Sequence, residues 1–187
     1  GVNRNNNSIT KYLGNLDKIS KFSFSKIEYF DQYEPEIILE QENIIFFDNK
    51  GANIKFDKNS DLIWKKNYYT KHEKKINPFL FFSKQDNRLI VVDTISKYYA
   101  VDINNGELLW SSYNNAPFIS DVKIKNDKIF VVDSNNTLKC FSLKDGTLIW
   151  EYQSDSSVVK SSKKISIAVH DNKVLFNNSI GDINAVD

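Results

Sequence analysis

The stretch Asp102-Ile103-Asn104-Asn105-Gly106-Glu107-Leu108-Leu109-Trp110 returns as Ser142-Leu143-Lys144-Asp145-Gly146-Thr147-Leu148-Ile149-Trp150. It returns once more, looser, as Asp57-Lys58-Asn59-Ser60-Asp61-Leu62-Ile63-Trp64. The tryptophans are 46 and 40 residues apart. Ahead of each lies an apolar run ending in an acid or amide: Ile44 to Asp48, Leu89 to Asp93, Ile129 to Asp133, and in a fourth copy Val174 to Asn178. These ends are 45, 40 and 45 residues apart, and nine residues after each stands Asp57, Asp102, Ser142 or Asp187. Two landmarks that hold register through four copies define a repeat, and a repeat of this period decides the architecture before any single element does.

Each copy reads as strand, tight turn, strand, as in Ile129-Phe130-Val131-Val132-Asp133, Ser134-Asn135-Asn136, Thr137-Leu138-Lys139-Cys140-Phe141. The turn column is Gly51, Ser96, Asn136 and Gly181, and Gly and Asn tolerate the positive φ of short hairpins. A second turn at Asn105-Gly106 and Asp145-Gly146 leads into the strand that ends in Trp. A further strand precedes each unit, at Glu34 to Leu39, Asn77 to Phe82, Ala116 to Ile119 and Ser166 to Val169. Four antiparallel strands per 40 to 46 residues is the period of a β-propeller blade. The fold class is therefore all-β: a propeller of four-stranded antiparallel blades, about four of them present. No long segment shows the three-and-four spacing of an amphipathic helix.

Composition agrees. The 187 residues are 41% hydrophobic and 26% charged, enough apolar surface for a core, and no run approaches the length of a membrane-spanning helix. Twenty-five basic against 24 acidic residues give a formal charge of +1, which removes the electrostatic argument for a nucleic-acid partner. A single Cys, Cys140, excludes an internal disulfide.

The segment Tyr99 to Trp110 resembles the tryptophan-docking repeat of quinoprotein-like propellers, roughly Ala-x-Asp-x-x-Thr-Gly-x-x-x-Trp; Ser60 takes the Gly place in the first copy. The resemblance implies that Trp64, Trp110 and Trp150, with Gly106, Gly146 and Asp102, are structural anchors between blades. Two branches of the superfamily matter: dehydrogenases that use pyrroloquinoline quinone (PQQ), and the BamB family, the propeller subunit of the outer-membrane β-barrel assembly machine. The dehydrogenases resemble each other in adjacent cysteines and a central Ca²⁺ held by Glu, Asn and Asp, and one Cys makes no such pair. The stretch Asn3 to Asn7, Leu13 to Leu16 and Lys21 to Phe24 is similar to the leader of BamB-like proteins. The expected organisation is a leader or strand at 1–33 and a partial propeller at 34–187. Its blades lie at about 34–66, 76–112, 116–152 and 158–187, the last without its outer strand. Eight blades, usual in the superfamily, need on the order of 340 residues. The chain thus reads as an N-terminal fragment, half of an eight-bladed ring, whose open faces invite self-association.

The sequence displays no catalytic constellation. The column Asp48, Asp93, Asp133 and the column Asp57, Asp102, Asp187 lack His or Cys companions and are explained by Asx turns. His72 and His170 fall in loops, and Cys140 shares its column with Lys55, Ala100 and Ala185, as a small buried strand residue does. No metal, cofactor or catalytic residue is assigned. The lysine-rich stretches Lys71 to Lys75 and Lys160 to Lys164 lie between blades, where propellers meet partners. Tyr68, Tyr69, Lys71 and Lys74 are the candidate partner contacts, tyrosine being a favoured interface anchor. The function the resemblance implies is that of a non-enzymatic, BamB-like scaffold that binds protein partners in outer-membrane protein assembly. It implies a periplasmic location, with attachment to the outer membrane open. The alternatives are a fragment of a PQQ-dependent dehydrogenase and a ligand-binding or sensor propeller, and the fold alone does not choose among them.

Overall fold

The alternation of apolar and polar residues along each run makes strands, and the Asp and Gly columns make the turns that fold them back. The computed structural model describes residues 35–155, 158, 161 and 163–187; the expected leader at 1–33 and Lys160 lie outside the described residues. Three four-stranded antiparallel sheets follow one another, each in chain order: β1 (Ile38–Glu40) to β4 (Leu62–Lys66), β5 (Leu80–Gln85) to β8 (Leu108–Tyr113), and β9 (Lys123–Lys125) to β12 (Leu148–Gln153). The fourth sheet holds β13 (Ile167–His170), β14 (Lys173–Asn177) and β15 (Ile183–Val186).

The acid-or-amide column builds the turn between second and third strands identically in every blade. Asp48 Oδ1 accepts the N–H groups of Lys50 and Ala52, each at 3.0 Å. Asp93 accepts those of Ile95 and Lys97 at 2.9 and 2.8 Å, and Asp133 those of Asn135 and Thr137 at 2.9 and 3.2 Å. Asn178 accepts those of Ile180 and Asp182 at 3.2 and 2.9 Å. One side-chain oxygen thus closes two rings, and an amide serves as well as a carboxylate.

Burial falls from the middle strands outward. β6 (Arg88–Asp93) and β7 (Lys97–Asp102) are almost wholly buried, whereas β8 and β12 are half-buried or exposed. The core lies between neighbouring sheets. One cluster joins the first three blades through Phe47, Trp64, Leu80, Tyr99 and Phe118. A second joins the last two through Phe130, Leu138, Cys140, Ile165 and Phe176. In three blades the third and fourth strands slip register at the same place, at Lys55/Phe56, Ala100/Val101 and Cys140/Phe141. Ile63, Leu109 and Ile149 are the extra residues of these bulges.

The expected first strand of the third blade is displaced. Phe118 makes only an isolated bridge to Asp133, and the regular strand begins at Lys123. The reason is Ser120, whose hydroxyl accepts the Val132 N–H at 2.7 Å and donates to the Asp121 carbonyl at 2.8 Å. Its backbone bridges in parallel to Ile165 of the fourth blade instead. First strands of successive blades therefore meet side by side at the hub.

Candidate functional site

Three kinds of place could carry chemistry or recognition: the outer blade interfaces, the connecting loops, and the hub. At the outer interfaces Trp64 donates its indole N–H to the Ile103 carbonyl of the next blade at 3.2 Å, and Trp110 donates to Leu143 at 3.3 Å. A Cβ at Gly106 would stand 3.0 Å from the Trp64 ring, and one at Gly146 would stand 2.7 Å from Trp110. Both glycines have positive φ, 70° and 75°, so the position needs Gly for its backbone and again for the indole above it. Asp102 holds the first of these turns, accepting the Asn104 N–H at 2.8 Å. Trp150 instead lines a cavity of about 360 Å³ with Phe130, Val169, Val174 and Asp187.

The opposite strand ends carry a second set of fasteners. Asp93 uses Oδ1 for its turn and Oδ2 to accept the Tyr69 hydroxyl at 2.5 Å. Asp133 Oδ2 accepts Asn114 Nδ2 at 3.0 Å, and Asn178 Nδ2 donates to Ser154 Oγ at 3.5 Å. Each turn residue thus receives the loop that leaves the preceding blade. Burial pushes the Asp93 carboxyl up to about 6 against the pull of these hydrogen bonds.

The first of those loops, residues 67–79, contains the sequence-predicted partner contacts, and the structure separates them. Tyr69 is 5% exposed, its ring edge-on to Tyr99 and its hydroxyl on Asp93, so it faces the core. Tyr68 is half-buried and donates to the Gly106 carbonyl, which fixes it between blades. The density of tyrosines that suggested a binding rim has an internal use here. Lys71 is exposed and Lys74 half-buried. Sequence reasoning missed Lys97, a buried cation whose Nζ donates to the Tyr68 carbonyl at 2.6 Å and faces Glu73 at 3.6 Å. It also sits 5.0 and 5.2 Å from the ring centres of Tyr69 and Tyr113.

The hub holds another inward lysine. Lys164, which leads into the fourth blade, forms ion pairs with Glu36 of the first and with Asp121 of the third, the latter at 2.5 Å. Its Nζ also lies 5.5 Å from the ring of Phe81 in the second. Burial disfavours its charge, but the two carboxylates outweigh that and hold its pKa above the usual lysine value. Lys164→Met should cost about 2–3 kcal/mol, below the 3–5 of a fully buried pair. Urea denaturation measures it, and a loss under about 0.5 kcal/mol would place this pair with surface ones.

Nucleophilic and metal chemistry find little support in the side chains present. Burial pushes the Cys140 thiol up to about 11, which suppresses the thiolate. His72 and His170 are exposed. Among the described residues no three His, Cys, Asp or Glu side chains converge as a metal site, and no helix is long and apolar enough to cross a membrane. The Ca²⁺ of quinoprotein dehydrogenases does not fit the described hub, because Glu36 and Asp121 are already engaged by an ammonium.

Comparison with known proteins follows the same lines. No curated protein sequence matches. Among solved structures, BamB from Moraxella catarrhalis is similar with a TM-score of 0.65 at 18% identity, over 81% of this chain and 45% of that one. The chain therefore spans a little under half the length of that BamB. The computationally designed Ika4 protein is similar at 11% identity with a TM-score of 0.65, over 89% of this chain and 98% of that one. Quinohemoprotein alcohol dehydrogenase ADHIIG from Pseudomonas putida HK5 is similar at 11% identity with a TM-score of 0.63, over 80% of this chain and 31% of that one. The family described as outer membrane protein assembly factor BamB matches residues 49–187, most of the sequence, and the chain belongs to that family of PQQ-repeat β-propellers.

Proposed function

We propose that the chain is a non-enzymatic scaffold that binds protein partners in the assembly of outer-membrane β-barrel proteins, in the periplasm. One observation carries the reading: four of the inward polar side chains described above are spent on joining blades. Asp93, Asp133 and Asn178 fasten loops, and Lys164 neutralises Glu36 and Asp121. What is left for recognition is the set of loops displayed on this frame. Family membership supports the same role. The full protein, tagged and cross-linked in its native cells, should capture a component of the outer-membrane assembly machinery by mass spectrometry, and recovery of none would overturn the proposal.

The structural likeness to an alcohol dehydrogenase favours one other reading, a quinone-dependent enzyme. Supplying the full protein with PQQ and Ca²⁺ and following dye reduction by alcohols separates the two. The scaffold reading expects no turnover.

A further inference from the structure

The loop between β4 and β5 is held more firmly than a connector requires. Asn67 accepts the Tyr69 N–H at 3.0 Å and donates to the Lys50 carbonyl at 2.9 Å. Thr70 and Glu73 form a reciprocal capping box: the Thr70 N–H donates to Glu73 Oε2 at 2.6 Å and the Glu73 N–H to Thr70 Oγ1 at 3.3 Å. That box leads into the short 3₁₀ turn Glu73–Ile76, whose N-cap position is His72. From beneath, Lys97 holds the Tyr68 carbonyl, and from the side the Tyr113 hydroxyl donates to Glu73 Oε1 at 2.7 Å.

These bonds consume every acid of the loop and none of its bases. Within Lys71-His72-Glu73-Lys74-Lys75, Glu73 is turned inward toward Lys97, Thr70 and Tyr113. Although burial opposes its ionisation, those donors bring it down to about 2, so its charge is permanent at neutral pH and already balanced by Lys97. Lys71, Lys74 and Lys75 make no ion pair with any described residue, while nine other lysines do. Three uncompensated cations on one turn stand out in a chain whose formal charge is +1. The corresponding loop between β8 and β9, residues 114–122, contains no lysine. Beside the cations two apolar surfaces are open: Ile76 is 52% and Tyr113 58% exposed.

We propose that this loop is the docking surface for an acidic segment of a partner protein, Lys71, Lys74 and Lys75 receiving its carboxylates while Ile76 and Tyr113 receive an apolar side chain. Charge complementarity selects the class of ligand. Rigidity selects a shaped protein segment over a lipid surface, because a loop ordered in advance loses little freedom on binding. The inference rests on the scaffold reading and names the partner chemistry for one of its loops.

The test uses the whole chain and a fluorescein-labelled peptide of alternating Asp and Glu with a central Leu-Phe. Wild-type protein should bind it, and the triple variant Lys71→Gln/Lys74→Gln/Lys75→Gln should bind about tenfold or more weakly, as should wild type when NaCl rises from 0.05 to 0.5 M. The control Lys128→Gln/Lys144→Gln/Lys163→Gln should bind within about twofold of wild type, and Ile76→Ser should weaken binding selectively for the peptide that carries Leu-Phe. The side chains of the exchanged lysines make no ion pair or hydrogen bond with any described residue, so circular dichroism should be unchanged. Absence of peptide binding, equal loss in both triple variants, or binding only to phosphatidylglycerol vesicles would each overturn the proposal. In the cross-linking capture, an unchanged partner set for the first triple variant sinks this loop and leaves the scaffold standing. An empty capture from wild type sinks the scaffold itself.

Discussion

Trp64→Ala is expected to cost about 3–5 kcal/mol in urea denaturation, the range of large aromatic deletions from cores. Trp64 is 6% exposed and covers Gly106, and its N–H holds the Ile103 carbonyl. Alanine would open a void between two blades and remove one of the two donors to that carbonyl, leaving it only Lys55 Nζ at 3.0 Å. The three tryptophans supply an internal scale. Trp110 makes the same hydrogen bond but is half-buried, and Trp150 lines an open cavity without one to any described residue. The losses should descend in the order Trp64, Trp110, Trp150. Equal losses, or a Trp64→Ala loss under about 1 kcal/mol, would show that inter-blade docking is not where these indoles act.

Asp93→Ala is the second large effect, about 2–4 kcal/mol, since it takes from the Ile95 and Lys97 N–H groups and the Tyr69 hydroxyl the carboxylate to which they donate. Asparagine is the informative control, because Asn178 builds the same turn in the fourth blade. The pH dependence follows from the direction of the shift. The folded carboxyl sits near 6 against 3.8 for its ordinary value. Below 3.8 both states are protonated, and between the two values the folded state holds a proton that the unfolded state has released. Stability therefore falls as pH rises from about 4 to about 6, by on the order of 2–3 kcal/mol, and is level above. Glu73 acts in the other sense and in another window, its stabilisation being lost only as pH falls from 4.5 toward 2. Asp93→Asn should match wild type near pH 4, exceed it at pH 7 and lack the slope between. A wild-type stability that rises across that window would contradict the assignment.

The blades were legible in the sequence because what closes them is local. Asp48 bonds to residues two and four positions on, and Asp93 repeats the pattern one blade later, so each turn leaves its signature within one repeat. The joints were not legible, since their partners lie 24 residues apart for Tyr69 and Asp93 and 29 for Lys97 and Tyr68. No column of the repeat records such a pairing. Lys97 and Lys164, which face acids inside, look in the sequence like Lys71 and Lys75, which face water. Tyr69 was read outward for the same reason, its acceptor being invisible until the blades are side by side. The displaced first strand of the third blade traces to one hydroxyl, that of Ser120, whose bond to Val132 competes with the ladder.

The strictly sequential pairing of strands bears on how the chain reaches this state. Each sheet forms among neighbours in the sequence, so loop-closure entropy is small and contact order low, which favours rapid folding. A blade can close as soon as its own residues are free and then template the next. The ion pair between Lys164 and Glu36 spans 128 positions. It forms only after every intervening blade is in place, so it contributes nothing to the folding rate and acts chiefly by slowing unfolding.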